Sequence, residues 1–521
     1  MIATMGALFQ PLPQEPQKLP SPSVDWLAIS PVLILAGAAL VLMLISSFVR
    51  GRGAAVAYAA ITCLAGLGVV GVSIPLWREV QDPERGPFTT FEGAVGVDGT
   101  EVFLTVVIAA SVILAALFIH DYVRREDLPR AEPFALLLLS AAGGVVMAAA
   151  NDLIILFLGL EVLSIAVYVM AALHHRRLSS QEAGMKYFVL GAFSSAFFLY
   201  GIAMIYGGTG TTNLVRIVEL FSTSTLTEDG LVLAGLALML VGLGFKVAAV
   251  PFHFWTPDVY QGAPTAMVTW MASGVKVAGF AGLIRVYVLA FQAYRTDWQP
   301  MVYALAIATL VAGSILAVVQ TDVKRMLAYS SIAHAGYVLV GVQAATQDGV
   351  QSALFYLGTY AFLVAGSFGV VTLVGRTGDS RHALDDYRGL GRERPVLAVL
   401  LAVFLFAQAG VPFTSGFFGK FYVISAAVDA GSVGLAIVAM LAAVVAAFLY
   451  LRIVASMYMS EPDSNSGDSG DAGDRLAGIR VPAPAGVALF LCLVVTIGIG
   501  VWPGLLTEVA QDAVPVLSAL G

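Results

Sequence analysis

Long apolar runs recur along almost the whole of this 521-residue chain, and most of them are close to 20 residues in length. About 20 apolar residues are what an α-helix needs to cross the hydrocarbon core of a bilayer, since a helix rises about 1.5 Å per residue. Charged residues make up only 12% of the sequence, about half the share found in soluble domains. This deficit excludes a soluble enzyme, a nucleic-acid-binding protein and a disordered chain. We therefore predict an all-α polytopic membrane protein.

The apolar runs predict about 14 transmembrane helices. These cover residues 30–49, 55–77, 101–122, 133–150, 153–173, 183–206, 231–250, 265–290, 300–320, 325–343, 350–375, 395–411 with a continuation to 428, 433–457 and 482–502. Pro251 and Pro412 lie next to or within apolar runs, and proline cannot donate the helical hydrogen bond. We therefore expect the seventh and twelfth helices to be broken within the membrane.

The loops between these helices carry very unequal numbers of basic residues. Connections after odd-numbered helices contain 16 Arg and Lys residues, whereas those after even-numbered helices contain four. Basic loops remain preferentially in the cytoplasm. We therefore expect the odd-numbered loops to be cytoplasmic and both termini of this multi-pass protein to lie on the outer side of the membrane.

The chain divides into six segments on this basis. They are a Pro-rich N-terminal arm (1–28), helices 1–3 (29–128), a first repeat of helices 4–8 (129–290), a second repeat of helices 9–13 (291–458), an acidic Gly/Ser-rich linker (459–481), and helix 14 with the C-terminus (482–521). The arm lacks the basic and apolar regions of a signal peptide, and the composition of the linker is typical of a flexible connection. The densely charged loop 376–394 is a candidate for docking partner proteins.

A short motif indicates that the two repeats are inverted. The sequence Val-Pro-Phe at 250–252 recurs at 411–413, which is 161 residues later and five predicted helices further along. Because five is odd, the second copy crosses the membrane in the opposite direction, as in many transporters. Each copy also has a lysine close to its proline, Lys246 before the first and Lys420 after the second. We predict two inverted five-helix repeats, each with one broken helix.

Five ionisable residues inside the predicted helices are candidates for a chemical role: Glu161, Lys186, Lys246, Lys276 and Lys420. Each charge at bilayer depth costs about 2.5–3.5 kcal/mol on insertion scales, so these side chains must interact with one another or with water. Structural ion pairs, or snorkelling toward the membrane surface, are one explanation. The other is a proton relay, in which a desolvated lysine beside a carboxylate gains and loses its proton. We favour the relay, with Glu161 and Lys246 as a switchable pair.

Two histidines are further relay candidates. His253 follows the first predicted break, and His334 lies within the tenth predicted helix. His174, His175 and His382 lie in or beside arginine-rich loops, so we expect them to be solvated. Hydroxyl side chains at helical spacing from the candidates could hold water between them: Ser164, Tyr168, Ser273, Ser330 and Tyr337.

The sequence offers no pattern for a bound cofactor or a metal ion. The two cysteines, Cys63 and Cys492, lie in separate apolar runs without the spacing of a disulfide framework, a zinc site or an iron–sulfur cluster. The glycine-rich run 207–210 does not follow a strand and lacks a nucleotide-binding pattern. Any redox chemistry is therefore expected in other chains.

The stretch KVAAVPFHFWTPDVYQGAPT (246–265) resembles the proton-conducting membrane-subunit family. That family includes the antiporter-like subunits of respiratory complex I, the proton-pumping NADH:quinone oxidoreductase, and the large subunits of multi-subunit cation/proton antiporters. GLEVLSIAVYVMAAL and GMKYFVLGAFSSAFFLYGIAMIYG are similar to the same family, and the likeness covers about residues 130–455. By this resemblance, Glu161 corresponds to the family's glutamate on the fifth helix and Lys246 to the lysine at the break of the seventh. Lys276 corresponds to the lysine of the eighth helix, and Lys420 to the charged residue of the broken twelfth.

The resemblance implies a translocase subunit of a bacterial respiratory complex, with no redox centre of its own. Quinone reduction in other subunits would drive protons through the buried residues. Those subunits, among them neighbouring antiporter-like and small membrane subunits, would hold the NAD, flavin, iron–sulfur clusters and quinone. Two alternatives remain: a subunit of a multi-subunit cation/proton antiporter built on the same core, and a membrane scaffold that holds its neighbours without pumping.

The relay hypothesis gives each candidate side chain a role. Glu161 and Lys246 form the gate, Lys276 and His334 the centre, and Lys420 the far exit, while Lys186 and His253 tune or load Lys246.

Overall fold

The computed structural model describes residues 23–48, 54–128, 131–223, 229–459, 476 and 478–514, so most of the predicted N-terminal arm and acidic linker lies outside the described residues. In chain order, the first ten helices are α1 (Trp26–Phe48), α2 (Ala54–Val80), α3 (Gly99–Arg125), α4 (Glu132–Ala149), α5 (Leu153–Ala171), α6 (Leu178–Thr209), α7 (Leu214–Thr223), α8 (Gly230–Val247), α9 (Trp255–Gly262) and α10 (Thr265–Ala272). The helices that follow are α11 (Gly274–Leu283), α12 (Arg295–Val318), α13 (Val323–Ala344), α14 (Gln347–Val374), α15 (Leu390–Glu393), α16 (Pro395–Ala409), α17 (Ser415–Asp429), α18 (Val433–Met459), α19 (Ala483–Val501) and α20 (Gly504–Asp512). A π-helical turn (Ile284–Ala290) continues α11, two 3₁₀ turns cover Gln292–Tyr294 and Leu384–Tyr387, and strands β1 (Phe88–Thr90) and β2 (Val95–Val97) form a hairpin.

Twelve helical segments among the described residues are long and apolar enough to cross a membrane. They are α1 to α6, α8, the composite helix Thr265–Ala290, the segment Gln292–Val318, α14, α18 and α19. Helix α13 and the pair α16 and α17 occupy the two remaining predicted positions. The all-α polytopic membrane fold is confirmed, whereas the total of fourteen crossings, the inverted repeat and the segment boundaries remain predictions.

Acidic side chains fix where several helices begin. Asp98, Asp152 and Asp322 precede α3, α5 and α13, and each carboxylate accepts a hydrogen bond of 2.8–2.9 Å from a backbone N–H of the first turn. These N–H groups have no partner within the helix, and an aspartate cap contributes about 1 kcal/mol. The starts of α5 and α13 are therefore encoded locally, and these helices carry Glu161 and His334.

The seventh and twelfth predicted helices are both broken, as the prolines predict. Residues 248–254, which include Pro251, separate α8 from α9, and residues 410–414, which include Pro412, separate α16 from α17. Directly after α8, Ala248 turns the chain out of the helix with a positive φ of 63°. Each break leaves carbonyl groups of the preceding helix without helical partners.

The composite helix Thr265–Ala290 and α14 form the centre of the bundle, because nearly all of their residues are buried. Helices α1, α6, α18 and α19 lie at the periphery and expose many large apolar side chains, which suits contact with lipid or with other membrane proteins. The close packing of α6 on α8 requires Gly201 and Gly235. A Cβ atom on either glycine would lie within 3 Å of the carbonyl oxygen of the other.

The two ends of the bundle differ in charge. One end carries the α5–α6 connection (172–177) and the loop 376–394, both rich in arginine, and we refer to it as the basic end. The opposite end carries the β1–β2 hairpin, which contacts the start of α5 through a bridge between Val95 and Ala150. This hairpin was not predicted, because three-residue strands are too short to show an alternating pattern.

Candidate functional site

Lys246 is the first of three predicted relay lysines that are buried inside the bundle. It lies in the last turn of α8, is 3% exposed, and donates from Nζ to Ser164 Oγ of α5 at 2.7 Å. Glu161 lies one turn earlier on α5 and accepts a hydrogen bond from the Ser195 hydroxyl of α6. Within the described part of the chain, Glu161 and Lys246 form no ion pair. The predicted switchable pair is therefore separated in this structure, and Lys246 binds the neighbouring hydroxyl.

Lys276 is buried at the centre of the bundle on α11. Its Nζ donates to both the carbonyl oxygen and the hydroxyl of Ser331 on α13, each at 2.6 Å. Tyr360 of α14 donates to the same hydroxyl at 2.8 Å. Lys276 follows Ser273, where the backbone interrupts the composite helix between α10 and α11. All of these hydrogen-bonding partners are neutral groups.

His334, one turn beyond the serine that binds Lys276, has a tyrosine hydroxyl at each of its ring nitrogens. Tyr356 Oη of α14 lies 2.6 Å from Nδ1, and Tyr450 Oη of α18 lies 3.1 Å from Nε2. Tyr450 also contacts Ser330 Oγ at 2.6 Å. Helix α13 therefore carries adjacent contacts to the central lysine and to the tyrosine cluster.

Lys420 of α17 lies against the second helix break. Its Nζ donates to the carbonyl oxygen of Ala409 at 2.9 Å, and this carbonyl lacks a helical partner because α16 ends there. The ammonium also lies 4.8 Å from the ring centroid of Tyr337, within the range of a cation–π contact. Tyr337 stacks on Tyr356 with ring centroids 6.1 Å apart, so Lys420 and His334 share a tyrosine pair.

Helix α11 joins the lysine of the first break to the tyrosine cluster. It presents Lys276 to α13, and Gly279, one turn later, packs on the aliphatic stem of Lys246. A Cβ atom at Gly279 would lie 3.3 Å from Lys246 Cγ, tighter than most side-chain contacts. The structure therefore brings Glu161, Lys246, Lys276, His334 and Lys420 into two groups that meet at α11.

Two predicted site residues occupy different surroundings. Lys186 lies at the basic end, where its side chain is 42% exposed and forms ion pairs with Glu182 at 2.7 Å and Asp258 at 2.8 Å. His253 lies in the link between α8 and α9 and is 5% exposed. Over the described residues, neither is a hydrogen-bonding partner of Lys246. Their predicted tuning or loading of that lysine would need another arrangement or bound water.

A buried carboxylate at the basic end was not predicted. Asp379, in the loop 376–394, is fully buried. Its carboxylate accepts hydrogen bonds from the Tyr122 hydroxyl at 3.0 Å and the Arg177 guanidinium at 3.2 Å. It also accepts from Thr265, at 3.1 Å from the backbone N–H and at 2.6 Å from the hydroxyl. Two further basic groups lie nearby, His382 Nε2 at 2.8 Å and Lys324 Nζ at 3.7 Å. Burial alone would raise the pKa of Asp379, but Lys324, His382 and Thr265 together outweigh it and hold that pKa well below its usual range.

The prediction that His174 and His382 are solvated is wrong. Both are buried, at 6% and 5% exposure, whereas His175 is exposed as predicted. His382 is buried because the loop 376–394 folds inward at Asp379, which His382 contacts. His174 is buried because its Nε2 lies 3.6 Å from the buried carboxylate of Glu126, the residue that follows α3. Part of the predicted docking loop is therefore interior.

Sequence reasoning missed most of the polar side chains that contact the predicted site residues or their hydroxyl partners. These are Ser195, Ser331, Tyr356, Tyr360, Gln408 and Tyr450. A usable signal existed for Tyr356 and Tyr360, whose four-residue spacing puts them on one face of an apolar helix. Arg285 was also missed, although it lies inside the eighth predicted helix; it is buried and pairs with Asp98 at 2.9 Å toward the opposite end.

A family profile described as NADH:quinone oxidoreductase/Mrp antiporter, TM, matches residues 150–449, more than half of the chain. NADH-quinone oxidoreductase subunit N of Trichlorobacter lovleyi is 39% identical over 492 residues, covering 94% of this chain and 97% of that protein. The chain belongs to the NADH-quinone oxidoreductase subunit N family. The sequence PFHFWTPDVYQGAP (251–264) predicts subunit N, and the identity to this relative confirms the prediction.

Solved structures place the subunit N fold among related membrane subunits. A chain of respiratory complex I from Thermus thermophilus with bound aureothin superposes with a TM-score of 0.74 at 30% identity, covering 92% of this chain and 99% of that chain. A chain of the Mrp complex from Dietzia sp. reaches a TM-score of 0.80 at 21% identity, covering 94% and 97%. The second likeness concerns the fold alone. The matched residues 150–449 contain all seven predicted site residues.

Proposed function

We propose that this chain is a proton-translocating subunit N of a bacterial NADH:quinone oxidoreductase and that its buried Glu/Lys/His residues form the relay. Lys246, Lys276 and Lys420 are each at most 6% exposed, and among the described residues none of the three forms an ion pair with a carboxylate. Their partners are hydroxyl and carbonyl groups. This observation carries the proposal, because a lysine held for a structural ion pair would have a carboxylate at its ammonium.

The order of contacts along the bundle supports a lateral relay. Glu161 and Lys246 would form the gate beside the first break, Lys276 and His334 the centre, and Lys420 the exit beside the second break. A hydroxyl can accept a proton on one lone pair while donating its own, so the serine and tyrosine hydroxyls between these groups can take part in proton transfer. Loosened backbone at the two breaks offers further polar groups at membrane depth.

Partner subunits complete this function. NAD, flavin, iron–sulfur clusters and quinone would reside in those subunits, and quinone reduction there would supply the free energy. The exposed apolar faces of the peripheral helices are suited to lipid and to neighbouring antiporter-like and small membrane subunits. The basic end would face the bacterial cytoplasm, which puts both termini on the outer side.

Replacing Lys246 with Ala and with Arg in the assembled complex tests the relay. Arginine retains the positive charge and a long stem but does not release its proton in proteins. We expect both K246A and K246R to lower proton translocation by about tenfold or more in proteoliposomes energised with NADH and quinone. Lys186→Arg is the matched control, and we expect translocation close to that of the wild type because this lysine is half exposed and ion-paired.

The scaffold hypothesis makes the opposite prediction for the same variants. A complex that assembles with K246A and keeps its turnover and its ratio of protons to electrons would exclude the relay and leave a non-pumping scaffold. A complex in which K246R works and K246A does not would indicate a structural charge at this position.

A cation/proton antiporter is the second candidate, favoured by the shared fold with the Mrp chain. Purification of the chain from its native membrane separates the two. Recovery with flavin- and iron–sulfur-containing subunits supports the oxidoreductase, whereas sodium-dependent proton exchange by a complex without redox subunits supports the antiporter.

A further inference from the structure

The two ring nitrogens of His334 are not equivalent, although each contacts a tyrosine hydroxyl. A neutral imidazole donates from one nitrogen and accepts at the other, and distances alone do not say which does which. Tyr356 lies at Nδ1 and Tyr450 at Nε2. All three side chains are at most 3% exposed, so the hydrogen atoms between them must be arranged within the protein.

A chain of buried hydrogen bonds leads from Tyr450 to a helix backbone. Ser367 donates its hydroxyl hydrogen to the carbonyl of Leu363 at 3.1 Å, so its oxygen accepts from Gln408 Nε2 at 2.6 Å. The amide of Gln408 is thereby oriented with its oxygen toward Ser330. Ser330 Oγ donates to that oxygen at 3.2 Å.

The direction of these hydrogen bonds decides the tautomer of His334. A serine hydroxyl has one hydrogen, and Ser330 uses it on Gln408. Tyr450, 2.6 Å from Ser330 Oγ, must therefore donate its own hydrogen to Ser330. Tyr450 then has no hydrogen for the imidazole, so Nε2 of His334 carries the proton and donates to Tyr450. Nδ1 is left with a lone pair, which accepts from the Tyr356 hydroxyl.

We propose that Ser367, Gln408, Ser330 and Tyr450 act together as a positioning device that keeps neutral His334 in its Nε2–H tautomer. This inference rests on the proposed relay and specifies where the histidine exchanges its proton. The exchange takes place at Nδ1, through Tyr356. The other nitrogen leads only to the Gln408 amide and to a helix carbonyl, neither of which passes a proton on.

The exchanging nitrogen contacts a tyrosine pair that also contacts Lys420. Tyr356 stacks on Tyr337, and the Tyr337 ring lies 4.8 Å from the Lys420 ammonium. The locked nitrogen faces Tyr450 on the other side of the ring. The tautomer therefore directs the reactive lone pair of His334 toward the tyrosine pair that it shares with Lys420.

Reversing every hydrogen bond in the chain is the competing arrangement. It would require the Gln408 amide to turn over and Ser367 to give up the Leu363 carbonyl. It would also make Nδ1 a donor to Tyr356, whose own hydrogen has no other acceptor in the described structure. The reversed chain contains five hydrogen bonds where the proposed one contains six, so the observed anchoring favours the proposed direction.

Ser330→Ala and Ser330→Thr test the device in the assembled complex. Without the serine hydroxyl, Tyr450 is free to donate to Nε2, and the proton of the imidazole can move to Nδ1. We expect S330A to change the tautomer, to lower proton translocation by about tenfold or more, and to shift the pH profile of turnover. We expect S330T, which keeps a hydroxyl, to behave as the wild type in all three measurements. Gln408→Leu is a second disruptive variant, with the same expected outcome as S330A.

The tautomer can be measured by ¹⁵N solid-state NMR on complex labelled in histidine, with the His334 signal assigned by its absence in His334→Gln. The proposal expects a protonated Nε2 in the wild type and in S330T. A protonated Nδ1 in the wild type, or a wild-type tautomer and pH profile in both S330A and Q408L, would overturn the positioning device. Unchanged proton translocation in H334Q would instead overturn the role of His334 in the relay, so the two failures are distinguishable.

Discussion

Each of the three buried lysines proposed for the relay lies beside an interruption of a helix. Lys246 is in the last turn of α8, Lys276 follows the interruption between α10 and α11, and Lys420 binds the carbonyl that the end of α16 leaves free. The end of α16 supplies Lys420 with its carbonyl partner, whereas Lys246 binds the Ser164 hydroxyl and Lys276 binds the hydroxyl and carbonyl of Ser331 within α13. At the scale of single residues, neutral hydroxyl and carbonyl groups are therefore the partners that allow these lysines to be buried.

Gly279 lies on the same helix as Lys276 and packs on the stem of Lys246, so its replacement by valine should disturb both lysines. The side chain would press on the stem of Lys246 and on Val247, where even a Cβ atom would lie 3.0–3.3 Å away. Overpacking of this kind costs about 1–3 kcal/mol. We expect G279V to lower the thermal unfolding midpoint of the purified complex and to reduce proton translocation.

Gly37→Val is the matched control for this prediction. Gly37 lies on α1, and a Cβ atom there would have no neighbour within 4 Å. Equal loss of stability in both variants would mean that helix propensity, and not the contact with Lys246, accounts for the effect of G279V.

At the scale of elements, the loop 376–394 is a structural part of the bundle. Through Asp379 it contacts α3, the α5–α6 connection, the start of α10 and the start of α13. Lys276 lies on the composite helix that starts with α10, and His334 lies on α13. One carboxylate thus sets the relative positions of elements from both predicted repeats at the basic end.

Asp379→Asn should weaken this junction in a pH-dependent way. Breaking a buried ion pair by removing one partner costs about 3–5 kcal/mol, so we expect a lower unfolding midpoint at pH 7. Because the pKa of Asp379 is depressed in the folded protein, its contribution is fully present above its unfolded value of about 3.9 and is lost as the pH falls through the folded value. The contribution of the Asp379 carboxylate, measured as the difference between wild type and D379N, should therefore be lost only below about pH 4.

Asp385→Asn provides the control within the same loop. Asp385 is 69% exposed and pairs with Arg388 at 2.9 Å, and an exposed pair of this kind contributes about 0–1 kcal/mol. We expect an unfolding midpoint close to that of the wild type. A D379N protein as stable as D385N at pH 7 would contradict the structural role of the buried carboxylate.

At the scale of the whole molecule, the sequence predicted what depends on local properties. Long apolar runs identify helices, prolines identify breaks, and a charge inside an apolar run stands out wherever it later packs. The partners of these charges could not be predicted in the same way. Tyr450 and Gln408 lie 120 and 78 residues from Ser330 in the sequence, and only tertiary packing brings them together. The burial of Asp379 was not predicted, because its loop is densely charged and the five groups that offset the cost of its burial come together only in the folded bundle.

The orientation of the whole molecule can be tested with single cysteines placed at its two ends. Cys63 and Cys492 are first replaced by alanine, and either Ser380→Cys at the basic end or Glu84→Cys at the opposite end is then added; both positions are exposed. We expect a membrane-impermeant maleimide to label E84C in intact cells and S380C only in inverted vesicles. Labelling of S380C from outside would reverse the proposed orientation.

The contacts of Asp379 also constrain the order in which the chain can be completed during synthesis. Arg177 and Thr265 precede Asp379 by 202 and 114 residues, so both are translated well before their shared acceptor exists. Until the ribosome has passed residue 379, these donors can bind only water or temporary neighbours. The membrane insertion of the early helices therefore cannot by itself close their end of the bundle. The contacts at that end form late in biogenesis, when a segment of the second half of the chain supplies Asp379.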